Sequence, residues 1–177
     1  MKSFLATALG LLFVVSFSFA EPKADPGFTL LFNGKDFSGW KMNKTNEPLE
    51  GKSDAGKMRF IAKDGSLVID PKVKGDLTIN TLQDFEKDVH IKFEYKPDTK
   101  CNNDLFLRGM KFDIKKGDVK NIKFDDWNSF EIILKGDSAE FKNNGELQKM
   151  MKTKPGKTPF GIRAENGGIE IKNLQYK

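Results

Sequence analysis

Asp88-Val89-His90-Ile91-Lys92-Phe93-Glu94-Tyr95-Lys96 decides the fold class. Val89, Ile91, Phe93 and Tyr95 fall on one face of this stretch, and His90, Lys92, Glu94 and Lys96 on the other. Strict alternation with period two marks a strand buried on one side and wet on the other, as in an antiparallel sheet. A surface helix would need apolar residues at three- and four-residue spacing instead.

The same reading extends outward. Upstream, Arg59–Lys63 and Ser66–Asp70 flank Asp64-Gly65, a pair that supplies the positive φ angles of a tight hairpin turn. Leu77–Thr81 is another short strand, and the apolar run Phe28–Phe32 ends at Asn33-Gly34. Downstream, strands are expected at Leu105–Arg108, Met110–Ile114, Phe130–Leu134, Ala139–Lys142 and Phe160–Glu165. Ile169–Lys172, running on to Tyr176, closes the series. Turns fall at Asn143-Asn144-Gly145 and Asn166-Gly167-Gly168. Ten to twelve short strands with Gly and Asn turns predict an all-β sandwich or barrel. Lys41–Lys57 reads as a long loop, of a length that is often functional. A single helical turn is expected near Leu82–Glu86.

The N-terminus carries a different signal. Lys2 is the only charge in the first twenty residues, an apolar stretch runs from Phe4 to Val15, and Ser18-Phe19-Ala20 is a small-x-small cleavage pattern. This predicts a secretory signal peptide over residues 1–20; an uncleaved anchor is the alternative, although the stretch is short of the ~20 residues a span needs. No cysteine follows the junction, so a lipoprotein is not expected. Glu21–Gly27 is a polar leader, expected to be loose, and residues 28–177 form one domain. The mature chain is expected to be exported, periplasmic or secreted, and not membrane-spanning.

Composition excludes several classes. After Lys2 is removed, 29 basic residues stand against 25 acidic ones, scattered rather than blocked, with no nucleic-acid footprint. Cys101 is the only cysteine and His90 the only histidine. An internal disulfide is impossible, and a zinc site of nitrogen and sulfur ligands cannot be assembled. There is no Gly-rich phosphate loop, no HExxH and no G-x-S-x-G elbow. What remains is carboxylates, arginine and lysine, an inventory suited to sugar chemistry.

Specific blocks sharpen that reading. Gly27–Trp40 (GFTLLFNGKDFSGW), Asp64–Val68 (DGSLV), Asn103–Gly109 (NDLFLRG) and Trp127–Ile132 (WNSFEI) occur in this order, followed by the Gly161–Tyr176 terminus. Together they resemble the 3-keto-disaccharide hydrolase family, across essentially the whole mature chain. The resemblance implies a concanavalin-A-like jelly-roll of two antiparallel sheets, one of them open to a sugar. It also implies hydrolysis of glycosides oxidised to a 3-ketone. Two departures stand out. Met110–Asp126 lacks the family's Glu-x-Gln strand, and Arg163-Ala164-Glu165-Asn166-Gly167 replaces its QxHG element.

A 3-keto sugar carries an acidic proton on C2, so elimination needs one general base and a group that stabilises the enolate oxygen. Glu94, on the wet face of its strand, is the first base candidate. Arg108, closing LFLRG with no apolar reason to be there, is the candidate clamp, and Glu165 completes the catalytic set. Arg163, Asp113, Trp40 and Trp127 are candidate substrate-binding residues, the two tryptophans as stacking platforms. Each has a structural alternative: Glu94 as a solvated cross-strand partner, Arg108 as an internal ion-pair partner, Arg163 and Glu165 as a surface pair, Trp127 as a core edge. No cofactor is called for, and a divalent cation held by carboxylates stays open. The expected function is an exported 3-keto-glycoside hydrolase; the alternative is a non-catalytic carbohydrate-binding module.

Overall fold

The computed structural model describes residues 22–177; the expected signal peptide lies outside the described residues. The strands, in chain order, are β1 (Thr29–Leu30), β2 (Trp40–Met42), β3 (Asp54–Ala55), β4 (Phe60–Lys63), β5 (Ser66–Ile69), β6 (Leu77–Phe85) and β7 (Val89–Pro97). They continue with β8 (Asn102–Leu107), β9 (Met110–Lys115), β10 (Asn128–Lys135), β11 (Ser138–Asn143), β12 (Glu146–Lys152), β13 (Thr158–Asn166) and β14 (Ile169–Tyr176). One sheet runs β12-β11-β10-β7-β14-β5-β4-β3, with β1 on the free stretch of β14; the other runs β2-β6-β13-β8-β9. The named strand pairings are all antiparallel, and no helix occurs among the described residues. This is a two-sheet sandwich, one of the two architectures that the strand pattern allows and the one that the resemblance implies.

Alternation settles which side of each sheet is core. Along β7, Val89, Ile91, Phe93 and Tyr95 are buried and the residues between them are partly exposed. Along β13, Phe160, Ile162 and Ala164 point inward, leaving Arg163 and Glu165 outside. The two inner faces meet through aromatic rings. Phe112 of β9 stacks on Phe141 of β11 at 4.8 Å and meets Phe130 of β10 edge-on at 5.0 Å. Burial of side chains this size contributes about 1.5–3 kcal/mol each. The buried Tyr95 hydroxyl donates to Asn143 Oδ1 at 2.8 Å, giving the phenol the partner that burial demands.

The Asp64-Gly65 hairpin forms as expected, with φ of 51° and 80° at its two residues. Four expectations are corrected. The expected loop at Lys41–Lys57 is entered by β2 and interrupted by β3, which pair with β6 and β4 respectively. No helical turn forms at Leu82–Glu86, because β6 runs on to Phe85 against β13. A register shift between Pro159 and Gly161 loosens the pairing there. The Thr81 hydroxyl bridges the gap, donating to the Gln83 carbonyl at 2.7 Å and accepting from the Phe160 amide at 3.0 Å. β12 was not anticipated, since Glu146–Lys152 shows no alternation of burial. The leader is tied rather than loose at Asp25, whose amide donates to Gln175 and whose carboxylate lies 2.6 Å from Lys92.

Candidate functional site on the five-stranded sheet

The outer face of the five-stranded sheet gathers the chemistry. Asp104 of β8 is directly opposite Arg163 of β13 on one side and Asp113 of β9 on the other. One step along, Gly161 of β13 lies between Asn80 of β6 and Phe106 of β8, and Phe106 faces Lys111. Period-two side-chain direction places all these outward groups on one surface.

Arg163 is engaged by three carboxylates. Its Nε and Nη2 donate to the two oxygens of Asp76 at 2.7 and 2.5 Å, and Nη1 donates to Asp104 Oδ2 at 2.8 Å. Nη1 also lies 3.2 Å from Glu165 Oε2. The forked pair with Asp76 raises the guanidinium's pKa and holds Asp76 below the usual carboxylate range. Arg163 therefore organises acids and has little left to offer a ligand.

Asp104 lies beneath this network with no exposed side-chain surface. Its Oδ1 is buried and accepts no hydrogen bond, a condition in which a carboxyl oxygen tends to keep a proton. Burial first, and the adjacent Asp113 second, push its pKa up to about 6. Asp113 goes the other way. Burial pushes it up, but hydrogen bonding to Lys111 and Asp104 outweighs that and holds it below the usual range. Lys111 Nζ lies 2.9 Å from Asp113 and 3.5 Å from Asp104. The cluster is thus one acid that takes up its proton near pH 6, one acid that stays ionised to lower pH, and one ammonium.

A cavity of about 380 Å³ opens beside this cluster, between Asn43, Asn80, Phe106, Lys111 and Pro159. Its size is within the range of small-molecule sites, about 300–1,000 Å³. A larger hollow of about 570 Å³ lies along the loop at Thr45–Lys57. That hollow has no aromatic wall, and its Lys52 is paired with Glu47 at 2.5 Å. The smaller cavity is the better candidate, because an aromatic ring lines it and Lys111 in its wall is paired with the perturbed acids Asp104 and Asp113.

The candidates taken from the sequence do not converge. Arg163, Glu165 and Asp113 share the five-stranded face, but Glu94 points outward from β7 on the opposite sheet. There it accepts from Asn173 at 2.8 Å and pairs with Lys172 at 3.2 Å. Trp127 belongs to that face too, with Lys172 Nζ 3.9 Å and Lys96 Nζ 5.3 Å from its ring centre. Arg108 is buried in the β8–β9 turn. It contributes to the wall of the smaller cavity, but its guanidinium donates to the Glu86 and Lys154 carbonyls and so clamps loops, and it pairs with neither Glu94 nor Glu165. Trp40 is fully buried, its indole N–H donating to the Leu31 carbonyl at 2.7 Å, and offers no platform.

Asp104, Lys111, Phe106 and Asn80 were missed. Asp104 and Phe106 sit inside the NDLFLRG block, where an acid and an aromatic at i and i+2 of a strand were the available signal. Among the described residues, no group of three or more His, Cys, Asp or Glu side chains is arranged to hold a metal ion.

The family model for the 3-keto-alpha-glucoside-1,2-lyase-like domain matches residues 27–122, more than half of the chain. The chain belongs to this family. The match spans Asn80, Asp104, Lys111 and Asp113, while Gly161, Arg163 and Glu165 lie beyond it. No functionally curated protein matches the sequence. Among solved structures, a candidate glycosyl hydrolase from Parabacteroides distasonis ATCC 8503 superposes with a TM-score of 0.69 at 18% identity, over 89% of this chain and 99% of that one. The carbohydrate-binding module CBM66 from Bacillus subtilis gives 0.57 at 11% identity, over 79% and 96%. At such identities the likeness establishes a shared fold. The fold is a jelly-roll sandwich common to glycosyl hydrolases and carbohydrate-binding modules.

Proposed function

We propose that the chain is an exported carbohydrate-active enzyme that cleaves 3-keto-glycosides by elimination across C1 and C2, on the outer face of the five-stranded sheet. The observation that carries this reading is the Asp104–Asp113–Lys111 cluster beside the cavity, which it meets through Lys111. Asp113 is the ionised carboxylate with side-chain exposure, 25%, and takes the C2 proton. The electrons of the C2–H bond pass to the C3 oxygen, where the Lys111 ammonium stabilises the developing enolate. Collapse of the enolate forms the C1–C2 double bond and expels the aglycone oxygen with its electron pair. That oxygen takes up the proton that Asp113 removed from C2, and addition of water across the enone, hydroxyl to C1 and hydrogen to C2, completes a net hydrolysis. Asp104, covered by Arg163, touches no substrate and is a positioning residue for Asp113 and Lys111.

The test is an assay of the mature chain on 3-keto-trehalose and on a chromogenic 3-keto-glucoside. Turnover by the wild type, with a loss on the order of 10²–10⁴-fold in Asp113→Asn, is expected. No turnover of either substrate, or an unimpaired Asp113→Asn, rejects the assignment.

The second reading is a binding module that has lost catalysis. It is favoured by the engagement of Arg163 with Asp76, Asp104 and Glu165 and by the fold shared with CBM66. Glycan binding without turnover supports it.

A further inference from the structure

Gly161 leaves one position of the sheet face without a side chain, and the Asn80 carboxamide covers it. It has an ordinary strand backbone, so nothing conformational requires glycine there. What requires it is space. A Cβ at this position would lie 2.7 Å from Asn80 Oδ1 and 3.4 Å from Phe106 Cβ. The absence of a side chain lets the Asn80 carboxamide lie down over the strand, where its Nδ2 donates to Asn43 Oδ1 at 2.7 Å. Asn43 is itself pinned, its amide donating to the Thr78 carbonyl at 2.9 Å. Two linked amides have used one donor and one acceptor between them. They keep further N–H groups and carbonyl lone pairs, and both residues line the cavity of about 380 Å³.

The half-buried ring of Phe106 lines the same cavity. An amide pair and an aromatic ring in one cavity suit a pyranose, whose C–H face stacks on the ring while neighbouring hydroxyls each give and take a hydrogen bond. The row Asn80–Gly161–Phe106–Lys111 crosses three interstrand spacings, roughly 14 Å. Lys111 stands at one end and the amides at the other. Both cross-strand neighbours of Gly161, Asn80 and Phe106, are uncharged, so this end of the cavity suits a neutral ring.

We propose that Gly161 and the Asn43–Asn80 pair form a subsite for an uncharged sugar ring with adjacent hydroxyls, the aglycone half of a disaccharide. This rests on the reading that places the reacting ring at Lys111 and Asp113. Gly161 acts as a specificity-determining position. It selects sugar aglycones over aryl ones by keeping the Asn80 amide low on the sheet.

The experiment compares wild type, Asn80→Ala and Gly161→Ala on 3-keto-trehalose and on a p-nitrophenyl 3-keto-glucoside. Both variants are expected to raise KM about tenfold for the disaccharide. The aryl substrate, which stacks but offers no hydroxyls, is expected to keep its KM within about twofold. Equal losses on both substrates, or no loss on either, overturn the subsite. Gly161→Ala meets the far end of the Asn80 side chain at close range and Phe106 Cβ at 3.4 Å and is expected to fold, and Asn80→Ala gives the same answer without adding a Cβ at position 161. If the wild type turns over neither substrate, the reaction is wrong and the subsite is judged by binding alone. Glucose should then shift the side-chain amide resonances of Asn43 and Asn80 in wild type but not in Gly161→Ala. No shift in the wild type overturns the proposal.

Discussion

Asp104 and Asp113 are direct cross-strand partners on β8 and β9, bridged by one ammonium, with Lys111 Nζ 3.5 Å from the first and 2.9 Å from the second. Two acids this close do not ionise with equal ease. Burial decides which one yields, and Asp104 is the buried one.

The titration of Asp104 follows with a definite sign. Its folded-state pKa of about 6 lies above the ordinary 3.8, so the folded chain holds an extra proton between those values. The stability from that proton is complete below the unfolded value and is lost as pH rises through about 6. Asp113 and Asp76, held low, protect their ion pairs until the pH falls beneath the ordinary carboxylate range. Carbon-detected NMR of labelled aspartate should show Asp104 titrating near 6 and Asp113 below the usual value. Denaturation from pH 4 to 7 should show wild type losing stability relative to Asp104→Asn; parallel curves would contradict the shift.

Glu94→Gln tests the separation of the two faces. Glu94 lies on the far sheet, paired with Lys172 and Asn173 at a partly exposed position. The substitution should cost less than about 1 kcal/mol and leave any turnover or sugar binding unchanged. A large loss of either would return Glu94 to the site.

Trp40→Phe should act through folding alone. It removes the donor to the Leu31 carbonyl and leaves a gap in a fully buried position, a cost of about 2–4 kcal/mol. Urea titration reads that cost. Sugar affinity measured well below the midpoint should be unaffected.

Arg108→Lys should destabilise nearly as much as Arg108→Ala, about 2–4 kcal/mol. A single ammonium cannot reach the Glu86 and Lys154 carbonyls together with Thr153. The signature is faster proteolysis in the loop around Lys154, with activity falling only as the folded fraction falls.

The sequence was most readable where one face is core and the other is water. β7 alternates along its whole length, so its strand and its face parity follow from Val89, Ile91, Phe93 and Tyr95 alone. β12 escaped because an edge strand of exposed and half-exposed residues carries no period. Parity also has a built-in blind spot. Glu94 and Arg163 each point away from the core as their strands predict, yet two stacked sheets have two outsides. Only the pairing order tells them apart. Asp104 was hidden for a related reason: its burial depends on Arg163, 59 positions later, and on Lys111 across a hairpin.

Cys101 gives the fold one more property. Its sulfur is buried, with the thiol pushed up to about 12 chiefly by desolvation, and it is held between the Asn103 amide and the Ile114 carbonyl. Thiolate is the reactive form, so an alkylating reagent finds almost nothing to attack while the sandwich is closed. The chain carries its own unfolding clock. The rate at which this single thiol is labelled counts how often the two sheets part, with no probe introduced and no second cysteine to confuse the reading.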